Sequence, residues 1–230
     1  MTWPAPLDHV YILCDPEKEP ERAKYLRGWF SEQKIDPTAY TLISKCYGTS
    51  LKAEDAIKAY DPFQNRKPIE FERNFSSHNL KISEVSLLIN WHHFATTAVN
   101  AGHRYVMMFE SDVIFTPTFL TDLKTALGRA PPFDFLSISA VHFLRPRRAE
   151  GDTELKWFKP MNYHKTRTCD AMIFAVSLLE KISTTFFPCT DVLDWELNYQ
   201  LNLHGARCGW LDPPIISQGS GNGTYETTLV

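Results

Sequence analysis

Apolar positions recur along this chain at two periods, one near two residues and one near three to four. The run His9-Val10-Tyr11-Ile12-Leu13-Cys14 reads as a short buried strand, stopped by Asp15-Pro16. From Glu17 to Lys34 the apolar residues Ala23, Leu26, Trp29 and Phe30 fall at helical spacing. A strand followed by a helix is the opening of an α/β fold. Tyr40 to Cys46 reads as a second strand. Gly48 to Ser77 is polar and rich in Pro and Asn, so it reads as a long loop with one short helix over Ala53 to Tyr60.

Ser83 to Ala101 carries the clearest helical pattern, with Val85, Leu88, Ile89, His92 and Ala95 on one face and Gly102 as its stop. Arg104 to Phe109 reads as an apolar strand that runs straight into Glu110-Ser111-Asp112. A helix over Thr118 to Leu127 and a strand over Phe133 to Ile138 follow, and Ala149 to Tyr163 fits a hairpin. The last third reads as a strand over Ala171 to Val176 and helices over Ser177 to Thr184 and Val192 to Leu203. Short strands over Cys208 to Leu211 and Ile215 to Ser217 precede a Gly-rich tail from Gly219. The expectation is one α/β domain over residues 1–230, with a mixed central sheet flanked by helices.

Composition narrows the possible partners. The 230 residues carry 24 Lys and Arg against 27 Asp and Glu, a formal net charge of -3, which argues against nucleic-acid binding. No apolar run approaches the ~20 residues a membrane span needs, and the start of the chain lacks the apolar core of a signal peptide. The five cysteines include no C-x-x-C pair, which suits a reducing, cytoplasmic setting better than a disulfide framework.

The chemistry concentrates at Glu110-Ser111-Asp112. In open α/β sheets ligands bind beyond the carboxyl ends of strands, and this triplet sits at such an end. In an extended segment Glu110 and Asp112 share a face, so both carboxylates can aim at one hard cation, Mn²⁺ or Mg²⁺. Such a cation offsets the charge that develops on a diphosphate leaving group. Solvated acids at an ordinary strand end are the alternative. Asp191 and Asp194 flank a helix start, where a carboxylate can cap the helix or serve as a general base, with Glu196 as a further candidate.

Asp15, just after the first strand, fits either a turn cap or a contact to a base or ribose. Arg22 reads first as an anchor of its helix, and its fork suits phosphates if it reaches them. Gln218, Gly219 and Thr224 belong to a Gly-rich stretch with no P-loop ending that opens no helix. It reads as a mobile flap over a diphosphate or as a disordered terminus. Asp212 and His204 are candidates for a third metal contact. Arg145 to Arg148 form a basic loop that reads as a solvated face, with contact to an anionic acceptor as the alternative.

In order along the chain, several segments resemble glycosyltransferase family 25, which includes lipooligosaccharide sugar transferases and collagen galactosyltransferases. Ile12 to Asp15 with Pro20-Glu21-Arg22 is similar to the family's opening "INLDRRPER" pattern. Leu80 to Glu84 resembles "L-T-x-G-E", and Tyr105 to Val113 resembles "LVLEDDV" with Glu110 and Asp112 at the metal-binding acids. Ala171 to Ser177 is similar to "GAYLIS", Val192 to Leu197 to "PVDWDL", and Ile215 to Gly219 to "P-L-V-x-Q". The chain departs from these patterns at Ser111, at Ser83, and at Asn90-Trp91, where the family has Ser-His and this chain has His92 one place later.

The resemblance implies a GT-A-like nucleotide-sugar-binding fold and a metal-dependent glycosyltransferase. Its donor would be a nucleotide sugar, a UDP-sugar by family resemblance, and its acceptor a glycan or glycoprotein hydroxyl. Asp194, which matches the family motif, becomes the preferred base of an inverting transfer, with Asp191 next. A non-catalytic carbohydrate-binding protein on the same fold and a nucleotide-sugar hydrolase are the alternatives.

Overall fold

A computed structural model describes residues 2–66, 79–139, 146, 148–160 and 169–225. The chain opens with β1 (His9–Leu13) and α1 (Pro20–Glu32), whose first turn carries Pro20, where a missing N–H costs nothing. Then come β2 (Tyr40–Ile43), α2 (Ala53–Ala59), α3 (Ile82–Asn100) and β3 (Tyr105–Glu110). A short strand β4 (Val113–Phe115) and α4 (Phe119–Gly128) lead to β5 (Phe135–Ser137) and β6 (Lys156–Phe158). The last part holds β7 (Ala171–Ala175), α5 (Val176–Thr185), α6 (Leu193–Leu203), β8 (Cys208–Asp212), β9 (Ile216–Gln218) and the single turn α7 (Gly219–Asn222).

Seven strands form one mixed sheet in the order β2-β1-β3-β7-β5-β8-β6. β2, β1 and β3 run parallel, whereas β7 is antiparallel to both β3 and β5. The α/β class and the mixed central sheet flanked by helices are therefore as expected. From β1 the chain moves out to β2 and then returns to β3 on the other side of β1. Parallel sheets that reverse direction in this way leave a crevice between the two carboxyl ends. β4 and β9 pair in a separate two-stranded ribbon that rises from the same edge.

Both faces of the sheet are covered, which explains the continuous apolar runs of β1 and β3. Val10, Ile12, Met107 and Phe109 pack with Leu26 and Phe30 of α1 and Phe119 and Leu123 of α4. Their alternating neighbours Tyr11, Leu13, Val106 and Met108 pack with α3, α5 and α6, through Leu88, Trp91, Leu179 and Leu197. The buried stripe of α3 differs from the expected one. Trp91 and Phe94 enter the core, while His92 is half-buried at its edge, with Nε2 in hydrogen-bond contact with the Ser183 carbonyl at 3.1 Å.

Other expectations need correction. Lys156–Phe158 is one edge strand paired with β8, so among the described residues the Ala149 to Tyr163 stretch makes no hairpin of its own; residues 161–163 lie outside them. The Gly-rich stretch does open a helical turn, α7, and packs against Asp112. Part of the long loop, residues 67–77, lies outside the described residues, as do Arg145 and Arg147.

Candidate functional site

A cavity of about 430 Å³ opens at the carboxyl ends of β1 and β3. One wall is the loop after β1 with Asp15 and Glu19, continued by Arg22 in the first turn of α1. The opposite wall is the start of α3 with Ser83, Ser86 and Asn90, and Glu110, Ser111 and Asp112 lie between them. Asn90 shapes that wall: its Oδ1 accepts from the backbone N–H groups of Lys45 and Cys46 at 2.7 and 3.1 Å, and its Nδ2 donates to the Cys46 carbonyl.

Glu110 and Asp112 reach this cavity by a route other than the expected extended strand. β3 ends at Glu110, and a tight turn at Ser111-Asp112 starts β4. Ser111 is turned toward α1. Its Oγ donates to Glu19 Oε1 at 2.7 Å and accepts from Arg22 Nη1 at 2.9 Å. Arg22 also bonds Glu19 at 2.7 Å and lies over the Tyr225 ring at 5.2 Å. The serine that interrupts the acidic triplet thus joins the turn to the first helix, and Arg22 is an anchor that also lines the cavity.

Asp112 is held by the tail. Its carbonyl accepts from Gly219 N at 2.7 Å, and its Oδ2 accepts from the Ser220 backbone N–H and hydroxyl. Its Oδ1 is buried with no hydrogen-bond partner. Gly219 is required by close approach: a Cβ there would lie 2.9 Å from the Asp112 carbonyl and 2.4 Å from the Tyr225 ring.

Because β7 runs antiparallel to β3, its first residues lie beside Glu110, and Glu110 N donates to the Asp170 carbonyl at 2.9 Å. Asp170 is 1% exposed, and neither carboxylate oxygen accepts a hydrogen bond of ordinary geometry. Burial raises its pKa to about 7; its own N–H and the nearby Ser139 hydroxyl oppose the rise, and the charges of Asp112 and Asp194 add to it. Glu110 is half-open to the cavity, yet surrounding protein strips most of its water. Burial pushes its carboxyl well above the usual range, assisted by Asp112, Asp170, Asp194 and Glu19.

The remaining candidates divide clearly. Asp194, in the first turn of α6, is half-buried and acts electrostatically on Glu110, Asp170 and the Cys169 thiol, although it does not line the cavity. Asp191 is buried, accepts from Val192 N at 2.9 Å, and is not among the leading charges on Glu110 or Asp170. Glu196 is fully buried and clamped by Arg66 at 2.7 Å and by Gln200 at 3.0 Å, a structural pair.

Asp212 is engaged by Arg148 at 2.6 Å, so that member of the basic loop is an internal partner. His204, at the far end of α6, contacts Thr185. Asp15 accepts from Glu17 N and Lys18 N, a turn cap that also faces the cavity. Gln218 and Ser220 line the cavity; Gly219 and Thr224 do not, and Thr224 is exposed, its N–H bonding the Gly219 carbonyl.

Among the described residues no group of three or more His, Cys, Asp or Glu is gathered so that it could hold a metal by itself. Two carboxylates with one unpartnered buried oxygen do fit a hard cation that completes its shell with phosphate oxygens and water. Sequence reasoning missed Asp170, Glu19 and Ser220. For Asp170 the available signal was a single acid directly before an apolar strand. Compared with known proteins, the chain matches no family model. It likewise matches no curated protein.

Proposed function

We propose that this protein is a metal-dependent glycosyltransferase that uses a nucleotide-sugar donor, a UDP-sugar by resemblance to glycosyltransferase family 25. The observation that carries this reading is the buried, unpartnered Oδ1 of Asp112 beside Glu110 in a cavity at the β1–β3 strand ends. A cavity of about 430 Å³ falls within the roughly 300–1,000 Å³ of small-ligand sites. Glu110 and Asp112 would hold Mn²⁺ or Mg²⁺. When bound, that cation supplies charge stabilisation for the departing diphosphate.

The chain's own residues would do the rest. Asp15 and Gln218 present polar groups to the donor along the cavity wall, and Ser220 keeps Asp112 oriented. Asp194 accepts the proton of the acceptor hydroxyl. The hydroxyl oxygen then bonds the anomeric carbon, and the bond to the diphosphate oxygen breaks with its electron pair leaving on phosphate. Attack from the face opposite the leaving group inverts the anomeric centre.

Calorimetry of UDP binding tests the site. Affinity should be present with Mn²⁺ and be lost in EDTA, since two carboxylates and a diphosphate repel each other without a cation between them. Equal affinity in both conditions refutes the metal role of Glu110 and Asp112. Donor turnover that requires an acceptor separates a transferase from a nucleotide-sugar hydrolase, and metal-dependent binding without any turnover would identify a carbohydrate-binding protein on the same fold.

A further inference from the structure

We propose that Asp170 is a third acid of this site, an outer carboxylate beside Glu110 whose charge draws a divalent cation to the Glu110–Asp112 pair. The inference rests on the cation reading above and assigns a role to a residue outside that pair.

A buried carboxylate that serves only the fold is expected to be saturated with hydrogen bonds. This protein contains such a group in Glu196, which takes Arg66, Gln200 and the Thr190 N–H. Asp170 differs in its partners. It is as deeply buried, but both its oxygens are without a partner. The nearby Ser139 hydroxyl donates instead to the Ala171 carbonyl at 3.0 Å and meets Ser137 at 3.1 Å. The charged groups that act on Asp170 most strongly are Asp112 and Asp194, both of its own sign. Arg22, the cation of the nearby wall, is engaged by Glu19 and Ser111.

Two oxygens on Asp170 and one on Asp112 are therefore buried without a partner, the two acids repel each other, and the leading interactions of Asp170 include no positive group. Such an arrangement is unfavourable by itself and is relieved by a cation. Asp170 would act without direct ligation, because no three acids stand at ligating distance among the described residues. A carboxylate behind the ligands both attracts the ion and holds the waters that complete its shell. A divalent ion gains more from this charge than a monovalent one.

Two measurements on Asp170→Asn decide the matter: Mn²⁺ binding by calorimetry without nucleotide, and the melting temperature in EDTA, both at pH 8. Loss of an outer-shell partner should weaken Mn²⁺ binding by about 10- to 100-fold. The cation-free variant should melt about 2–4 °C higher than wild type, because an unpaired buried charge is gone. Asp170→Ala should weaken Mn²⁺ in the same way, which keeps the test open if the Asn variant folds poorly. Unchanged Mn²⁺ affinity in the variants, or a lower melting temperature for Asp170→Asn in EDTA, overturns the role of Asp170 while leaving Glu110 and Asp112 in place. Absence of Mn²⁺ binding in the wild type sinks the cation site and this proposal with it.

Discussion

Asp170 should make the cation-free protein lose stability as pH rises through the weakly acidic range. Its carboxyl has an ordinary value of 3.8 and is raised by burial to about 7 in the fold. Between these values the native state binds more protons than the unfolded chain, so stability is fully present below about pH 4 and is lost as pH rises toward 7. Linkage sets the size. At about 1.4 kcal/mol for each pH unit between the two values, the ceiling is about 4 kcal/mol. For a chain of this length 1 kcal/mol moves the melting temperature by about 2–4 °C, so the ceiling corresponds to roughly 8–16 °C.

The assay is thermal or urea unfolding in EDTA from pH 4 to pH 8, comparing wild type with Asp170→Asn. Asparagine cannot titrate, so the difference between the two proteins should change steeply in that window and flatten above it. Glu110 is raised by the same burial and has the same sign, so the variant keeps a shallower slope. A difference between the two proteins that stays constant from pH 4 to pH 8 would refute the reasoning, since it would mean that Asp170 titrates alike in both states.

Two further predictions concern other parts of the site. Asp194→Asn should lower turnover by about 10²- to 10⁴-fold with donor affinity nearly unchanged, because a positioned general base contributes on that order; Asp191→Asn should leave turnover near wild type, and the reverse pattern would move the base three residues back. Gly219→Ala should displace the tail from Asp112, because the new methyl meets a backbone carbonyl at 2.9 Å that cannot swing aside. The expected result is weaker Mn²⁺ binding with a small change in melting temperature, and unaltered Mn²⁺ affinity would remove the tail from the site.

The elements of this fold that obey a local rule were legible in the sequence. β1, α1, α3, β3 and β7 follow from apolar runs of strand length or from helical spacing, with Pro16 marking the end of β1 and Gly102 that of α3, and the α/β class follows from their alternation. Glu110 and Asp112 stood out because acids directly after an apolar strand mark a sheet's ligand-binding edge. Short-range pattern did not give the β4–β9 ribbon, in which strands of three residues find partners about 100 positions away. Nor did it give the phase of α3, where Trp91 displaces His92 from the core because a large apolar ring fills the space between α3 and β7.

The site itself depended most on tertiary structure. Asp170 looks like any polar residue before a strand until the antiparallel pairing of β7 with β3 brings it against Glu110. Ser111 looks like a loss from the acidic triplet until Glu19, just before α1, and Arg22 in its first turn reach it. Asp191, Glu196 and Asp194 are equivalent as acids near one helix start, and only the packing decides among them: a neighbour's N–H takes the first, Arg66 takes the second, and the third faces the other carboxylates. The sequence determines which side chains can ionise. Which of them must do so without water or a counter-charge is set by the strands and helices that surround each one, and those come from distant parts of the chain.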